Sequence, residues 1–361
     1  MKKRFVALLL ALATLILTAC GGNQTQTPNT PSDNADSPEV QAPDTPDVSK
    51  DPVVKLTFGG TAAAEDLITK GMERIAKTCE ERSGGSIQIS VFPASQLGDA
   101  VAQLESMVGG GQDMMIEAQG SYMQQYGVKD AAINSFGLVG TQELLAKELE
   151  SDMWKELEQQ FKAETGIETL ANNWVRQPTV IASKVPLRTI DDFSGVKLRV
   201  VPSKTTTAVY EALGFAPTPV AYSEVYLSLS QNVIDATIAS FDAMYTMAFY
   251  EVAPYITKYG NSCTNVAVWI NGGKFDSMTP AQQEILRAAC VEAGDWYVQE
   301  SNAVMDDYIA KMEANGATII DVDDAFRNAC NERLRDTALQ FESEGTWSEG
   351  LYEKLSDLLA E

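Results

Sequence analysis

Residues 53–60 read VVKLTFGG, residues 87–92 read IQISVF and residues 113–116 read DMMI, and these three short apolar runs decide the fold class. In the first run, Gly59 and Gly60 indicate the end of the strand. Between them, apolar side chains recur at helical spacing, first from Leu67 to Cys79 and then around Leu104 and Met107. A run of strand, helix, strand, helix and strand predicts an α/β fold, in which a parallel sheet is covered by helices on both faces.

The same pattern begins again in the middle of the chain. Residues 196–201, VKLRVV, predict a strand, Ser203 is placed as the N-cap of the following helix, and Gly214 ends that helix. Near the C-terminus, Thr279 and Gln282 form a capping-box pattern, and helical periodicity continues to about Asn315. A helix of about 35 residues is long enough to cross both halves of a two-lobed protein.

The N-terminus has the features of an export signal. MKKR at residues 1–4 is followed by an apolar run and then by LTAC at residues 17–20, which resembles a bacterial lipobox. We therefore predict a signal peptide over residues 1–19 and diacylation, with palmitate as an expected acyl group, at Cys20; the alternative is a plain cleaved signal with an incidental cysteine. Residues 20–51 are polar and acidic, which predicts a disordered tether to a cell membrane.

The composition excludes several classes of function. The formal net charge of -23 is unfavourable for binding nucleic acid, and the chain contains no histidine, the commonest general base and metal ligand. No paired-carboxylate, phosphate-binding or zinc-spacing motif is apparent. We therefore predict a protein that is not an enzyme and that needs neither a cofactor nor a metal.

Four cysteines follow Cys20 in the chain, namely Cys79, Cys263, Cys290 and Cys330. In an exported protein an even number of cysteines permits two disulfides, in any of three connectivities. Four buried free thiols are an equally good interpretation, because the residues lie far apart and two of them fall in helical patterns.

A series of short motifs carries a resemblance to a known family. In order along the chain they are SQLG (residues 95–98), DDFSGVKLRV (191–200), ALG (212–214), SEVY (223–226), NVID (232–235) and FYEVAPY (249–255). Together they resemble the solute-binding proteins of TRAP transporters (tripartite ATP-independent periplasmic transporters), the DctP-like family, over about residues 53–300. The resemblance is specific because many elements recur in the same order.

The resemblance implies a bilobal fold of the periplasmic-binding-protein type (type II), with two mainly parallel sheets and a long helix spanning both lobes. We assign residues 52–173 plus about 263–300 to lobe I, and residues 174–262 plus about 301–361 to lobe II. The expected partners are a small organic acid and the permease subunits in the membrane. The expected location is extracytoplasmic, and the sequence leaves the oligomeric state, with a monomer expected, and the type of cell envelope open.

Arg199 is the strongest candidate for ligand binding. It lies near the C-terminal end of a predicted parallel strand, where open α/β sheets place their ligands, and its guanidinium can hold a carboxylate with two hydrogen bonds. Ser203, at a helix N-terminus, would add backbone donors for the anion. The alternatives for Arg199 are an internal ion pair or a surface position. In the family that this sequence resembles, the arginine at this position binds the substrate carboxylate.

Five further residues are predicted to contribute to the site. Arg176 lies near the position of the family's second arginine, Tyr222 is at the position of an aromatic residue that lines the pocket, and Thr61 offers a hydroxyl after the first strand. Phe241 and Trp174 are predicted as apolar walls.

Two departures from the family pattern bear on the ligand. ATIAS replaces the usual GQENP at residues 236–240, and Ala100 occupies the position of an acidic residue that some sialic-acid binders use. We therefore expect a simpler and partly apolar carboxylate. The rival interpretations are a binding lipoprotein of an ATP-driven importer or sensory system, and an extracytoplasmic enzyme on the same scaffold.

Overall fold

The computed structural model describes residues 48–136, 139–260 and 262–360, which all belong to one compact unit. Its strands, in chain order, are β1 (Val54–Gly60), β2 (Ile87–Phe92), β3 (Met114–Ala118), β4 (Ile167–Val175), β5 (Val180–Ser183), β6 (Lys197–Val200), β7 (Ala216–Pro219), β8 (Ala236–Ala239), β9 (Tyr255–Thr257), β10 (Asn265–Asn271) and β11 (Thr318–Ile320).

The α-helices are α1 (Leu67–Arg82), α2 (Ala100–Val108), α3 (Gln119–Gln125), α4 (Gln142–Glu150), α5 (Asp152–Thr165), α6 (Lys204–Ala212), α7 (Val225–Ser230), α8 (Phe241–Thr246), α9 (Phe249–Val252), α10 (Gly272–Asp276), α11 (Pro280–Ala314), α12 (Asp324–Ser343) and α13 (Leu351–Ala360). Short 3₁₀ helices occupy Lys129–Phe136, Ile190–Phe193 and Tyr222–Glu224.

The strands form two sheets, in the orders β2-β1-β3-β10-β4 and β11-β9-β5-β8-β6-β7. In each sheet one strand runs against all the others: β10 is antiparallel to its neighbours β3 and β4, and β5 is antiparallel to β8 and β9. The remaining described strands of each sheet are parallel to one another. The prediction of two mainly parallel sheets is therefore confirmed.

The first strands follow the predicted pattern with one informative difference. β2 has the predicted bounds, but β1 continues through Gly59 and Gly60, where the sequence indicated its end. A Cβ atom on Gly59 would overlap the side-chain oxygen of Gln103 and lie 2.6 Å from the side-chain nitrogen of Gln112. The glycine thus lets two buried amide side chains lie directly against the strand.

The five-stranded sheet and its helices form lobe I. On one face, Met72 and Ile75 of α1 pack with Leu286 and Cys290 of α11. On the other face, Trp154 and Phe161 of α5 pack with Trp269 of β10 and with residues of α2. Because helices cover both faces, the strands of lobe I read as nearly continuous apolar runs.

The six-stranded sheet and its helices form lobe II. One face is covered by α6, α12 and α13, whose apolar residues surround Phe193 and Leu198. The other face packs against α7, α8, α9 and the C-terminal end of α11. The apolar cluster around Phe193 also includes Ile133 and Met153 of lobe I, so part of the apolar core is shared between the lobes.

Helix α11 spans both lobes, as predicted. It has 35 residues, and the capping box between Thr279 and Gln282 starts it. The helix contacts α1 and β4 in lobe I and α8 in lobe II. Gly294 faces β4 so closely that a Cβ atom would lie 2.5 Å from the side-chain oxygen of Asn173, so this glycine permits a tight helix–strand contact. No helix in the described ranges has the length and apolar character needed to span a bilayer.

Candidate ligand-binding site

Two chain segments link the lobes and run side by side. The segment from β4 to β5 includes Arg176 and Thr179, and the segment from β9 to β10 includes Ser262 and Thr264. The backbone N–H of Arg176 donates to the carbonyl of Thr264 at 2.8 Å, and that of Thr179 donates to the carbonyl of Ser262 at 2.9 Å. The linking segments therefore form a short paired floor, from which Arg176 extends toward the space between the lobes.

A cavity of about 140 Å³ lies on this floor. Its walls come from both lobes, and its polar lining residues are Thr61, Glu117, Ser121, Tyr122, Arg176, Thr179, Arg199, Thr206, Tyr210, Tyr222, Ser240, Ser262 and Thr264. At roughly 10–15 Å³ for each water-sized position, this space holds roughly ten non-hydrogen atoms. The cavity therefore has the size of a small organic molecule.

Arg199 is buried at the end of β6 and is only 6% exposed. Its Nε donates to the carbonyl of Val220 at 2.9 Å, and its guanidinium lies 5.4 Å from the centre of the Tyr222 ring. Its terminal nitrogens make no hydrogen bond and no ion pair within 4.0 Å with any described residue. Burial lowers the pKa of this guanidinium, although nearby tyrosines and Glu117 favour its charged form. Arginine remains protonated under such shifts, so a cation without an acidic partner faces the cavity.

Arg176 has a different environment. Burial acts to lower its pKa, but Tyr297, Asp242, Tyr222 and Asp66 together raise it above the ordinary value for arginine. Its Nε is buried without a hydrogen-bond partner among the described residues. No described carboxylate lies within ion-pair distance of its guanidinium, so the acidic groups act on it from farther away.

The acidic groups near Arg176 belong to a buried network that joins the lobes. Asp66 caps α1 by accepting from the N–H of Ile68 at 2.9 Å, and it also accepts from the hydroxyl of Thr246 in α8 at 2.7 Å. Asp242 accepts from the hydroxyl of Tyr297 in α11 at 2.9 Å. Burial raises the pKa of Asp66, Asp242 raises it further, and Arg176 opposes both. The network thus balances the charge of Arg176 but not that of Arg199.

Glu117 brings a negative charge into the cavity wall. It lies near the end of β3, where Oε2 accepts from the hydroxyl of Thr61 at 2.5 Å and Oε1 accepts from the N–H of Ala118 at 2.9 Å. Sequence reasoning missed this residue. The rule that selected Arg199, a polar side chain near the C-terminal end of a parallel strand, also selects Glu117.

Three buried hydroxyl groups in the lining have no hydrogen-bond partner among the described residues. They belong to Thr206, Tyr222 and Ser240. Burial raises the pKa of Tyr222, so its hydroxyl stays protonated and can donate. Because buried polar groups are nearly always paired, these hydroxyls indicate a site that is completed by water or by a polar ligand.

The sequence matches the family model for bacterial extracellular solute-binding proteins, family 7, over residues 58–344. This chain belongs to that family. It is 26% identical to the 2,3-diketo-L-gulonate-binding periplasmic protein YiaO of Escherichia coli, over 78% of this chain and 86% of the relative. It is also 26% identical to the sialic acid-binding periplasmic protein SiaP of Vibrio cholerae, over 76% of this chain and 85% of the relative.

Solved structures of family 7 solute-binding proteins have the same fold. A TRAP periplasmic solute-binding protein from Ochrobacterium anthropi, with bound L-fuconate, matches with a TM-score of 0.76 at 26% identity. The match covers 85% of this chain and 99% of that protein. The bilobal fold and the TRAP-type family predicted from the sequence motifs are therefore confirmed.

Four of the predicted site residues of this family 7 protein line the cavity together: Arg199, Arg176, Tyr222 and Thr61. They come from β6, the linking segment, a 3₁₀ helix and the end of β1, which are far apart in the sequence. Thr61 differs in detail from its predicted role, because its hydroxyl donates to Glu117. The ligand contacts of all four residues stay predictions.

The other three predicted residues lie outside the cavity lining. Trp174 is fully buried in lobe I, where its indole N–H donates to the carbonyl of Cys290 and its ring stacks on Tyr297, so it is a core residue instead of a cavity wall. Phe241 packs in an apolar cluster of lobe II. Ser203 caps α6, as predicted, and its hydroxyl donates to Gln124, away from the cavity.

The cysteines resolve one open alternative. Cys79, Cys263, Cys290 and Cys330 are all buried and free in the structure, so they pack as small apolar residues. The predicted lipidation site, Cys20, lies outside the described residues.

Proposed function

We propose that this chain is the extracytoplasmic solute-binding subunit of a TRAP transporter, and that it captures a small organic acid by its carboxylate and delivers it to the membrane permease. The observation that carries the proposal is Arg199, a buried guanidinium that lines the cavity and has no ion-pair partner among residues 48–136, 139–260 and 262–360. A buried charge is costly unless it is paired, and a ligand carboxylate would supply the pair with bidentate geometry.

The overall acidity of the chain does not oppose this proposal. The net charge of -23 acts at long range, where salt screens it over about 10 Å. Arg199 is buried, so its interaction with a carboxylate is much stronger than that of an arginine at the surface. The local charge therefore governs the bound state.

Arg176 would supply a second positive charge from the floor of the cavity. Its position on a linking segment, between the lobes, makes it sensitive to their separation. In the proposed mechanism, the five-stranded sheet with its helices moves as one lobe and the six-stranded sheet with its helices moves as the other, and closure around the anion excludes water. The protein would perform no chemistry on the ligand.

The lining indicates a more polar ligand than the sequence led us to expect. Thr206, Tyr222 and Ser240, whose hydroxyls have no partner among the described residues, line the same cavity as the two arginines. We therefore propose a carboxylate that also carries polar groups, in place of the partly apolar acid expected from the departures at residues 236–240 and Ala100.

The proposal includes a lipid anchor at Cys20, supported by the lipobox-like LTAC sequence. Two acyl chains would hold the protein stably at a membrane, near its permease. Mass spectrometry of the exported chain tests this part: we expect a diacylglyceryl-modified N-terminal cysteine in the wild type, and a chain released into the soluble fraction for the Cys20→Ser variant.

A thermal-shift screen against several hundred organic acids, using the purified chain, tests the binding function. A ligand present at about 100 times its Kd should add about 2.7 kcal/mol to the free energy of unfolding, which is a shift of several degrees. Amines and neutral sugars serve as the matched negative set. If only non-acidic compounds raise the melting temperature, the assignment of organic-acid capture is wrong.

A further inference from the structure

Glu117 is held in a fixed position at the cavity wall. The hydroxyl of Thr61 and the N–H of Ala118 each donate to a different oxygen of its carboxylate. An ionised carboxylate has about four acceptor positions, so about two remain free for another donor. No described lysine or arginine pairs with Glu117 within 4.0 Å, so this charge is not neutralised by a contact within the protein.

The charges in the cavity lining form an asymmetric set. Among the described lining residues, the charged side chains are Arg176, Arg199 and Glu117, two cationic and one anionic. Neither arginine forms an ion pair with Glu117 within 4.0 Å, although Glu117 is near enough to favour the charged form of Arg199. A ligand with one carboxylate fits this set if a hydrogen-bond donor occupies its other end. A ligand with two carboxylates would bring its second negative charge toward Glu117, where like charges repel.

The nature of the donor follows from the neighbouring groups. The hydroxyls of Thr206, Tyr222 and Ser240 are buried without partners in the part of the chain that the structure describes, and each can both donate and accept. Ligand hydroxyls also donate and accept, whereas an ammonium group only donates. Several ligand hydroxyls could therefore pair with these groups and with Glu117 at the same time.

We infer that Glu117 is a specificity-determining residue, which makes the site select a hydroxylated monocarboxylate and reject the dicarboxylate of the same length. This inference rests on the proposed capture of a carboxylate by Arg199. Thr61 acts through Glu117, by fixing the orientation of its carboxylate.

Matched pairs of acids test the inference, because each pair differs only in one terminal group. Suitable pairs are galactonate with galactarate, gluconate with glucarate, threonate with tartrate, and 4-hydroxybutyrate with succinate. Calorimetry on the wild-type chain should show that the best monocarboxylate of the panel binds at least tenfold more tightly than its dicarboxylate partner.

The Glu117→Gln variant identifies the cause of the discrimination. It keeps the size of the side chain and removes its charge, so we expect the ratio within the best pair to fall below threefold, mainly through tighter binding of the dicarboxylate. The control is Glu73→Gln, an exposed position on α1 that should leave the ratio unchanged. Because both variants replace a carboxylate by an amide, a general effect of net charge would appear in both.

The outcomes separate this inference from the proposed function. If acids bind and need Arg199, but the dicarboxylates bind as well as their partners or Glu117→Gln leaves the ratio unchanged, then the role of Glu117 is wrong while carboxylate capture stands. A panel in which no hydroxylated monocarboxylate binds also overturns the inference. If no organic acid of the larger screen binds, the proposed function itself fails.

Discussion

The cavity contains two buried arginines in contrasting surroundings. Arg199, on β6 of lobe II, has a backbone carbonyl and the Tyr222 ring as its close neighbours. Arg176, on a linking segment, lies in the field of two buried aspartates, Asp66 and Asp242. Burial lowers the pKa of Arg199, whereas the surrounding acidic groups and tyrosines outweigh burial and raise the pKa of Arg176.

The difference in surroundings suggests different roles for the two arginines, one in ligand binding and one that also includes stabilising the fold. The folded protein offers Arg199 few groups that stabilise its charge. An anionic ligand would therefore supply most of the electrostatic stabilisation of this guanidinium. Arg176 is already balanced by a network that ties α1, α8 and α11 together, so it contributes to the fold as well as to the cavity. Two residues of one type, in one cavity, should therefore respond differently to the same substitution.

The largest expected effect is on affinity in the Arg199→Met variant. Methionine keeps much of the side-chain volume and removes the charge that would pair with the ligand. We expect the affinity for the identified organic acid to fall at least a hundredfold, about 3 kcal/mol, with little change in the free energy of unfolding. Calorimetry and urea unfolding measure the two quantities.

The control for this variant is Arg188→Met, at an exposed position of the same lobe. It removes the same charge from the protein outside the cavity and should leave the affinity within about twofold, since surface charges contribute little. A loss of less than threefold for Arg199→Met would contradict the role given to this arginine.

The next largest effect is on stability in the Arg176→Met variant. Removing this cation leaves Asp66 and Asp242 buried without a compensating positive charge, so we expect a loss of about 2 kcal/mol in the free energy of unfolding, in addition to weaker ligand binding. Urea unfolding of the ligand-free chain gives the value.

A second substitution sharpens this comparison. Asp242→Asn keeps an acceptor for the hydroxyl of Tyr297 and removes a negative charge, so in the Arg176→Met background it should restore about 1 kcal/mol of the lost stability. In the Arg199→Met background it should restore nothing. Equal stability of the two arginine variants would mean that the surroundings of Arg199 and Arg176 do not differ in the way proposed.

The smallest expected effect is on the pH dependence of stability. Because burial and Asp242 raise the pKa of Asp66 above its ordinary value of 3.8, the folded state binds a proton at a pH where the unfolded state has released it. Stability contributed by this group therefore falls as the pH rises from 3.8 through the folded-state pKa, and it is regained on acidification.

The Asp66→Asn variant isolates this contribution. Asparagine can keep the cap of α1 and the contact with Thr246 but does not titrate. Burial also raises the pKa of Glu148, to about 8, so this residue contributes its own pH dependence to the free energy of unfolding. Because Glu148 is present in both proteins, its contribution cancels in the difference between the wild type and the variant. The wild type should gain stability relative to the variant as the pH falls from 7 to 4. A constant difference, or a change of opposite sign, would contradict the raised pKa.

Much of the fold could be predicted from local sequence. The bounds of β2, the N-cap at Ser203 and the 35-residue helix from Pro280 follow from alternation, capping residues and helical spacing, all of which act within a few residues. Gly59 shows the limit of such signals. It reads as a strand end, but the strand continues through it, and the absent side chain leaves room for Gln103 and Gln112.

The candidate site could be predicted only in part. Arg199, Arg176, Tyr222 and Thr61 were found because they follow strands or match family motifs. Trp174 and Phe241 were misplaced, because the sequence shows that an aromatic side chain is near a strand end but not whether it points toward a core or a cavity. Glu117 was missed, although its position near the end of β3 carries the same signal as that of Arg199 near the end of β6.

The sequence by itself determined the order of strands and helices, the family, and the presence of an arginine at the end of a parallel strand. These properties depend on backbone propensities and side-chain spacing, which are local. Only the tertiary structure decided which charges share the cavity: Glu117 with Arg199, and Asp66 and Asp242 around Arg176. These groups lie up to 176 positions apart in the sequence (Asp66 and Asp242), and they come together only because the two sheets, the linking segments and helix α11 pack in one arrangement.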